Sequence, residues 1–218
     1  MGREILKPKQ VEFLELFSES NLADFFYLSG GTALAAFYLN HRESEDLDFF
    51  SEEEVDPLAV ETFLKHNKRR IGFDTLEFQS SFNRNLFFLN FGGDVLKTEF
   101  TYFPFPRIEK GKKEGKLQID SLRDIAVNKL FTISQQIRAR DFVDFYFILK
   151  DKKLDLGGLI GDVRAKFDAN IDAIQLGSQF FRVDEAKDEP RMLVPLDKDK
   201  MRLFFREQSG ALKKEILK

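Results

Sequence analysis

With 218 residues, 43% of them hydrophobic, and a net charge of −3, the chain has room for one generous domain or two small ones and is no basic nucleic-acid coat. It lacks cysteine and has two histidines, His41 and His66, which excludes disulfide staples, thiolate metal sites, cysteine nucleophiles and a histidine-rich metal centre. No run of 18 apolar residues occurs and Met1-Gly2-Arg3-Glu4 opens no apolar leader, so the expectation is a cytoplasmic protein with no membrane partner.

Taken in order, Pro8 suits the first turn of a helix whose apolar face is Val11, Phe13, Leu14 and Phe17. Phe25-Phe26-Tyr27-Leu28 reads as a short buried strand, and Thr32 to Leu39, after Ser-Gly-Gly, as an alanine-rich helix. Leu47 to Phe50 is a second strand, and Asp56-Pro57 opens a further helix. Alternation over residues 73–104, with a Gly92-Gly93-Asp94 turn, predicts an antiparallel hairpin or meander, and Gly111-Lys-Lys-Glu-Gly115 a polar loop. Helical spacing returns at Ser121, where Asp124 three residues on resembles a capping box, and continues over 138–150, 157–170 and 199–217. The chain holds 26 phenylalanines, too many for surface contacts, so most belong to the core.

Chemistry concentrates between residues 29 and 50. A strand running into Gly30-Gly31 and then a helix leaves backbone N–H groups suited to a phosphate, with the Thr32 hydroxyl beside them, although a double glycine is also an ordinary tight turn. In Asp46-Leu47-Asp48 the two acids stand at i and i+2 of a strand, on one face and about 6.6–6.8 Å apart. Such a pair can hold divalent ions, since Mg²⁺ takes carboxylate and phosphate oxygens without histidine or cysteine; it can also be a solvent-facing edge. Lys129 falls within the apolar stripe of Leu122, Ile125, Ala126 and Ile133, so it must snorkel or find an anion.

Gly-Gly-Thr, thirteen residues, then Asp-Leu-Asp resembles the signature of the DNA polymerase β-type nucleotidyltransferase superfamily. More narrowly, 29-SGGTALAAFYLNHRESEDLDFF-50 is similar to the AbiEii/AbiGii toxin family, with Arg42, Ser44, Asp46, Asp48 and Phe49 at its motif positions. A second block, 121-SLRDIAVNKLFTISQQIRARDFVDFYFIL-149, resembles that family's later motif through Lys129, Arg140, Asp141 and Asp144.

The resemblance implies an α+β fold: a nucleotidyltransferase-type mixed β-sheet with flanking helices over residues 1–108, then a helical region over 119–218 completing the active-site cleft. It implies transfer of a nucleoside monophosphate from an NTP to an acceptor hydroxyl by the toxin of a type IV toxin–antitoxin or abortive-infection system. The expected cofactor is Mg²⁺ or Mn²⁺ on Asp46, Asp48 and a third acid. Glu99, half-exposed by strand alternation, is the best candidate for that acid, with Glu77 and Asp94 as weaker rivals. Gly30, Gly31, Thr32, Arg42, Ser44 and Lys129 would bind the nucleotide, and Lys129 and Asp141 would join Asp46, Asp48 and Glu99 in catalysis. Expected partners are the NTP, tRNA or another RNA acceptor, and a cognate antitoxin. Lys65, Lys68, Arg69 and Arg70, or Lys110, Lys112, Lys113 and Lys116, could touch an RNA backbone, though such runs are usually solvated loops. Small-molecule nucleotidyl transfer, or a catalytically silent nucleotide-binding module, would fit the same motifs.

Overall fold

The computed structural model describes residues 5–150 and 153–216, with side chains to Leu212. Residues 1–4, 151–152 and 217–218 lie outside it, among them the opening Met1-Gly2-Arg3-Glu4 and Leu217, the last residue of the expected C-terminal helix. The described chain forms two compact units. The first takes the described residues up to Tyr38, Ser44–Pro106 and Lys110–Ser121; the second takes Leu39–Glu43, Arg107–Glu109 and the described residues from Leu122 onward.

The first unit is built on a mixed seven-stranded sheet in the order β3-β4-β5-β2-β1-β7-β6. Its strands are β1 (Tyr27–Ser29), β2 (Leu47–Ser51), β3 (Thr75–Ser81), β4 (Arg84–Asn90), β5 (Val95–Tyr102), β6 (Lys112–Glu114) and β7 (Leu117–Ile119). β2 runs parallel to β5 and β1 parallel to β7, while the remaining pairs are antiparallel. Alternation in β2 buries Leu47 and Phe49 and leaves Asp48 and Phe50 partly exposed on the opposite face. Phe49 stacks on Phe100 of β5 at 4.9 Å between ring centroids. The same pair is covered by Phe17 of helix α1 (Pro8–Glu19), 4.4 Å from Phe49. Each buried phenylalanine contributes about 1.5–3 kcal/mol, so this aromatic layer fixes the strand register. The short α2 (Gly30–Leu34) continues into a π-helical turn at Ala35–Leu39, and α3 (Pro57–His66), capped by Asp56, and α4 (Lys68–Ile71) complete the unit's helices.

The second unit packs α5 (Leu122–Gln135), α6 (Ala139–Lys150), α7 (Leu156–Phe167), α8 (Ala173–Phe181) and α9 (Lys198–Ile216). Phe142 and Phe180 meet Phe205 at 5.1 and 5.2 Å, all three fully buried. The segment 39–43 joins this unit by backbone pairing: Glu43 N–H donates to Arg191 O and Leu193 N–H to His41 O, both at 2.9 Å. A fully buried Lys166–Asp124 pair at 2.7 Å joins α7 to α5, and Asp124 also accepts from the N–H groups of Ile108 and Glu109.

Two local expectations change. The polar loop at 111–115 carries β6, because Lys112–Glu114 pairs with Leu117–Ile119 around Gly115 at φ +60°. The Asp124 carboxylate at the start of α5 accepts from Lys166 and from the 108–109 backbone. The strand at 25–28 starts later, at Tyr27, because Asn21–Asp24 is a 3₁₀ turn and Phe25 N–H donates to Leu22 O.

Candidate active site

One face of the first unit's sheet gathers the acids. In the parallel β2–β5 ladder Asp48 stands opposite Glu99, and in the β1–β2 ladder Ser29 stands opposite Asp48. Asp46 immediately precedes β2 on the Asp48 side of the pleat. The double glycine turns the chain just beside them: Gly30 has φ +69°, and a Cβ built on it would collide with Asp48 Oδ2. Glycine is therefore required there twice over, for the left-handed backbone and for the close approach of the carboxylate. The Thr32 hydroxyl bridges to the Ser44 Oγ at 2.8 Å and to the Asp46 carbonyl, tying the glycine turn to the strand that carries the acids. Gly30, Gly31, Thr32, Ser44, Asp46, Asp48 and Glu99 thus belong to one unit and, through these contacts, to one neighbourhood.

The acids hold cations from within the chain. Lys97, two residues before Glu99 on the same face of β5, donates to Asp46 Oδ2 at 2.8 Å. Arg84 of β4 grips Glu99 with two bonds of 2.6 Å, and Thr101 Oγ1 donates to the same carboxylate at 2.8 Å. Glu99 is buried rather than half-exposed, because β4 covers it. Burial pushes its carboxyl pKa up; the Arg84 and Thr101 hydrogen bonds and the charges of Arg84 and Lys97 outweigh this and hold it below the usual value. The Arg84 guanidinium is raised in turn, mainly by its bonds to Glu99.

Hard carboxylate oxygens on one face, each drawn to a cation, are the donor set that suits a divalent ion, and the missing Cβ at Gly30 leaves Asp48 its place. To hold such an ion Asp46 would release Lys97 and Glu99 would release Arg84. Among the described residues no three acids or histidines converge on one point.

Arg42, Lys129 and Asp141 lie in the second unit, in a buried cluster centred on Asp144. Arg42 donates to both Asp144 oxygens at 2.6 and 2.8 Å, and His41 Nε2–H donates at 2.8 Å. Lys129 pairs with Asp141 at 2.6 Å and with Asp144 at 2.7 Å. Burial pushes Lys129 down, but the two carboxylates overcome it and raise its pKa. Asp144 is held well below the carboxylate range: burial opposes ionisation, and Lys129, Arg42 and His41 more than compensate. The buried lysine expected from the apolar stripe has thus found its anions on α6.

Lys97 and Arg84 are the site residues that the sequence did not single out. Alternation placed Lys97 on the face of Glu99, a usable signal. Arg84 becomes visible only once the β4–β5 register sets it opposite Thr101, diagonal to Glu99.

A family model described as the nucleotidyl transferase AbiEii toxin of a type IV toxin–antitoxin system matches residues 12–215. An uncharacterised protein of Aquifex aeolicus (strain VF5) is 30% identical over 197 residues, covering 84% of this chain and 86% of its own. Two solved structures share the fold. One is a protein from H. pylori described as a candidate nucleotidyltransferase, with TM-score 0.61 and 20% identity over 99% of this chain and 97% of that one. The other is the nucleotidyltransferase toxin MenT4 of Mycobacterium tuberculosis H37Rv, with TM-score 0.56 and 15% identity over 94% and 81%. A match running nearly end to end, on a chain that sets a glycine turn against the Asp-x-Asp strand of a mixed sheet, places this protein in the AbiEii family of nucleotidyltransferase toxins.

Proposed function

We propose that the protein transfers a nucleoside monophosphate from an NTP to an acceptor hydroxyl, with Asp46, Asp48 and Glu99 as ligands for Mg²⁺ or Mn²⁺. The observation that carries this is the Asp48–Glu99 register pair with Gly30 packed on its flank. When bound, the divalent ion would offset charge on the triphosphate and lower the pKa of an acceptor hydroxyl. The chain's own part is positioning. Gly30 and Gly31 let the backbone approach the phosphates, while Thr32 and Ser44 fix the turn against Asp46. The acceptor oxygen bonds to the α-phosphorus as the bond from that phosphorus to the bridging oxygen breaks. Pyrophosphate departs with the bond electrons, and the hydroxyl proton passes to a carboxylate of the cluster or to solvent.

Arg42, Lys129 and Asp141 enter this proposal on family resemblance; the ion pairs they make support a structural task as well. Lys129 remains the proposed neutraliser of nucleotide charge, and Asp141 the residue that orients it.

An RNA acceptor such as the tRNA 3′ end is favoured by the β6–β7 hairpin, where Lys110, Lys113 and Lys116 are exposed. The other basic run is largely occupied: Lys65 pairs with Glu61, Arg70 with Glu19, and Lys68 donates to Asp74 O. Incubation with each α-labelled NTP, Mg²⁺ and total RNA tests the proposal. Label in RNA with wild type, and none with the Asp46→Ala/Asp48→Ala double variant, is expected. Label confined to protein or to a small molecule would replace the acceptor, and no label under any condition would leave a silent binding module.

A further inference from the structure

Three carboxylates and two cations share the site's face: Asp46, Asp48 and Glu99 against Lys97 and Arg84. In the form described, positive charge is supplied by the protein itself, with Arg84 forking both oxygens of Glu99 and Lys97 on Asp46. The two cations differ from a structural ion pair in their exposure. The Arg84 side chain is 54% exposed and that of Lys97 26%, so each can swing into solvent at small cost, whereas Glu99 at 8% cannot follow. In the Arg84–Glu99 pair the acid is fixed and the base free to move; in the Lys97–Asp46 pair both partners reach water, Asp46 at 35%, so each pair is an exchangeable arrangement.

Resting on the site assignment above, we propose that Arg84 and Lys97 are built-in counter-ions that leave the carboxylates when a metal triphosphate arrives and transfer to its phosphate oxygens. The physical sequence follows from charge alone. A divalent ion outcompetes a single positive charge for Asp46 and Glu99. The displaced guanidinium and ammonium are then cations beside a newly delivered polyanion, and Arg84's planar fork matches phosphate as well as it matches carboxylate. Without ligand, the same pairs keep the acids from repelling one another. The two residues thus compete with the metal when it comes alone and assist it when it comes with triphosphate.

That crossed behaviour is measurable without any turnover. Mn²⁺ binding to the full chain is followed by electron paramagnetic resonance, first with Mn²⁺ alone and then with Mn²⁺ plus inorganic triphosphate, a probe that presents phosphates without a base. Arg84→Gln keeps a donor for Glu99 and removes the charge. It is expected to tighten Mn²⁺ alone by about tenfold and to weaken the Mn²⁺–triphosphate complex by about tenfold, with Lys97→Gln moving both in the same directions by less. Circular dichroism confirms that each variant is folded. A shift of both affinities in one direction, or no shift, overturns the counter-ion exchange. Asp48→Asn separates the layers: Mn²⁺ binding that survives it sinks the site assignment and this inference together. Asp48-dependent binding indifferent to Arg84→Gln sinks the inference alone.

Discussion

Two charged centres built from similar residues sit in the two units and behave as opposites. In the sheet unit, carboxylates at Asp46 and Glu99 meet cations whose side chains keep a quarter to half of their surface in water. In the helical unit, Asp144 is fully buried and its neighbours Arg42 and Lys129 nearly so. Two carboxylates and two cations balance there, with His41 contributing one further hydrogen bond. A solvated pair can be exchanged for a ligand because water compensates whichever partner departs. A buried one cannot, since removing either member strands a charge in a low-dielectric interior. Charge of similar kind is therefore exchangeable in one place and held fixed in the other.

The largest expected effect separates the centres outright. Asp46→Ala/Asp48→Ala should lower nucleotidyl transfer by about 10³-fold or more, of order 4 kcal/mol in the barrier, with an almost unchanged melting temperature. Loss of fold with retained specific activity would erase the distinction. Asp144→Asn should act mainly on stability: it strands Arg42, leaves Lys129 with Asp141 alone and costs about 3–5 kcal/mol, read by urea unfolding. A loss below about 1 kcal/mol would mean that the cluster is not structural.

Smaller effects sharpen the contrast. Gly30→Ala should cost about 1–2 kcal/mol from the left-handed backbone and also depress turnover, because its methyl displaces the Asp48 carboxylate. The pH dependence is finer still. Asp144 has a depressed pKa, so its stabilisation is complete above the ordinary carboxylate value near about 4 and is lost as pH falls below it. Lys129, being raised, keeps its contribution below its ordinary value near about 10.4 and loses it as pH rises through the folded value. The stability gap between wild type and Asp144→Asn should be constant through neutral pH and narrow by about 1 kcal/mol toward pH 3. A gap that widens in acid would reverse the assigned sign.

How much of this could be read in advance depended on how local the cause was. The Asp-Leu-Asp strand, the glycine turn and the inward Lys129 are set by neighbours within a few residues, through alternation, left-handed backbone and the helical stripe. The α/β front and helical back followed from the same patterns, and the mixed sheet with flanking helices from family resemblance. What escaped is long-range. Arg84 reaches Glu99 only through the pairing of β4 with β5. Residues 39–43 join the helical unit through backbone bonds to 191–193, some 150 residues away, which no local pattern encodes. β6 is three residues long and polar, held by its turn and by β7 rather than by apolar alternation. α8 was not anticipated, although its Leu176 and Phe180 stand four apart and are both buried.

The central claim is that the carboxylate face of the sheet unit moves a nucleoside monophosphate. Parallel reactions with α-labelled and γ-labelled NTP, in Mn²⁺ or Mg²⁺, test it most directly. The expected result is acceptor labelling from the α position only, with γ label recovered as pyrophosphate and both signals absent in Asp48→Ala. Acceptor labelled from the γ position, or labelling that persists without the Asp48 carboxylate, would contradict it.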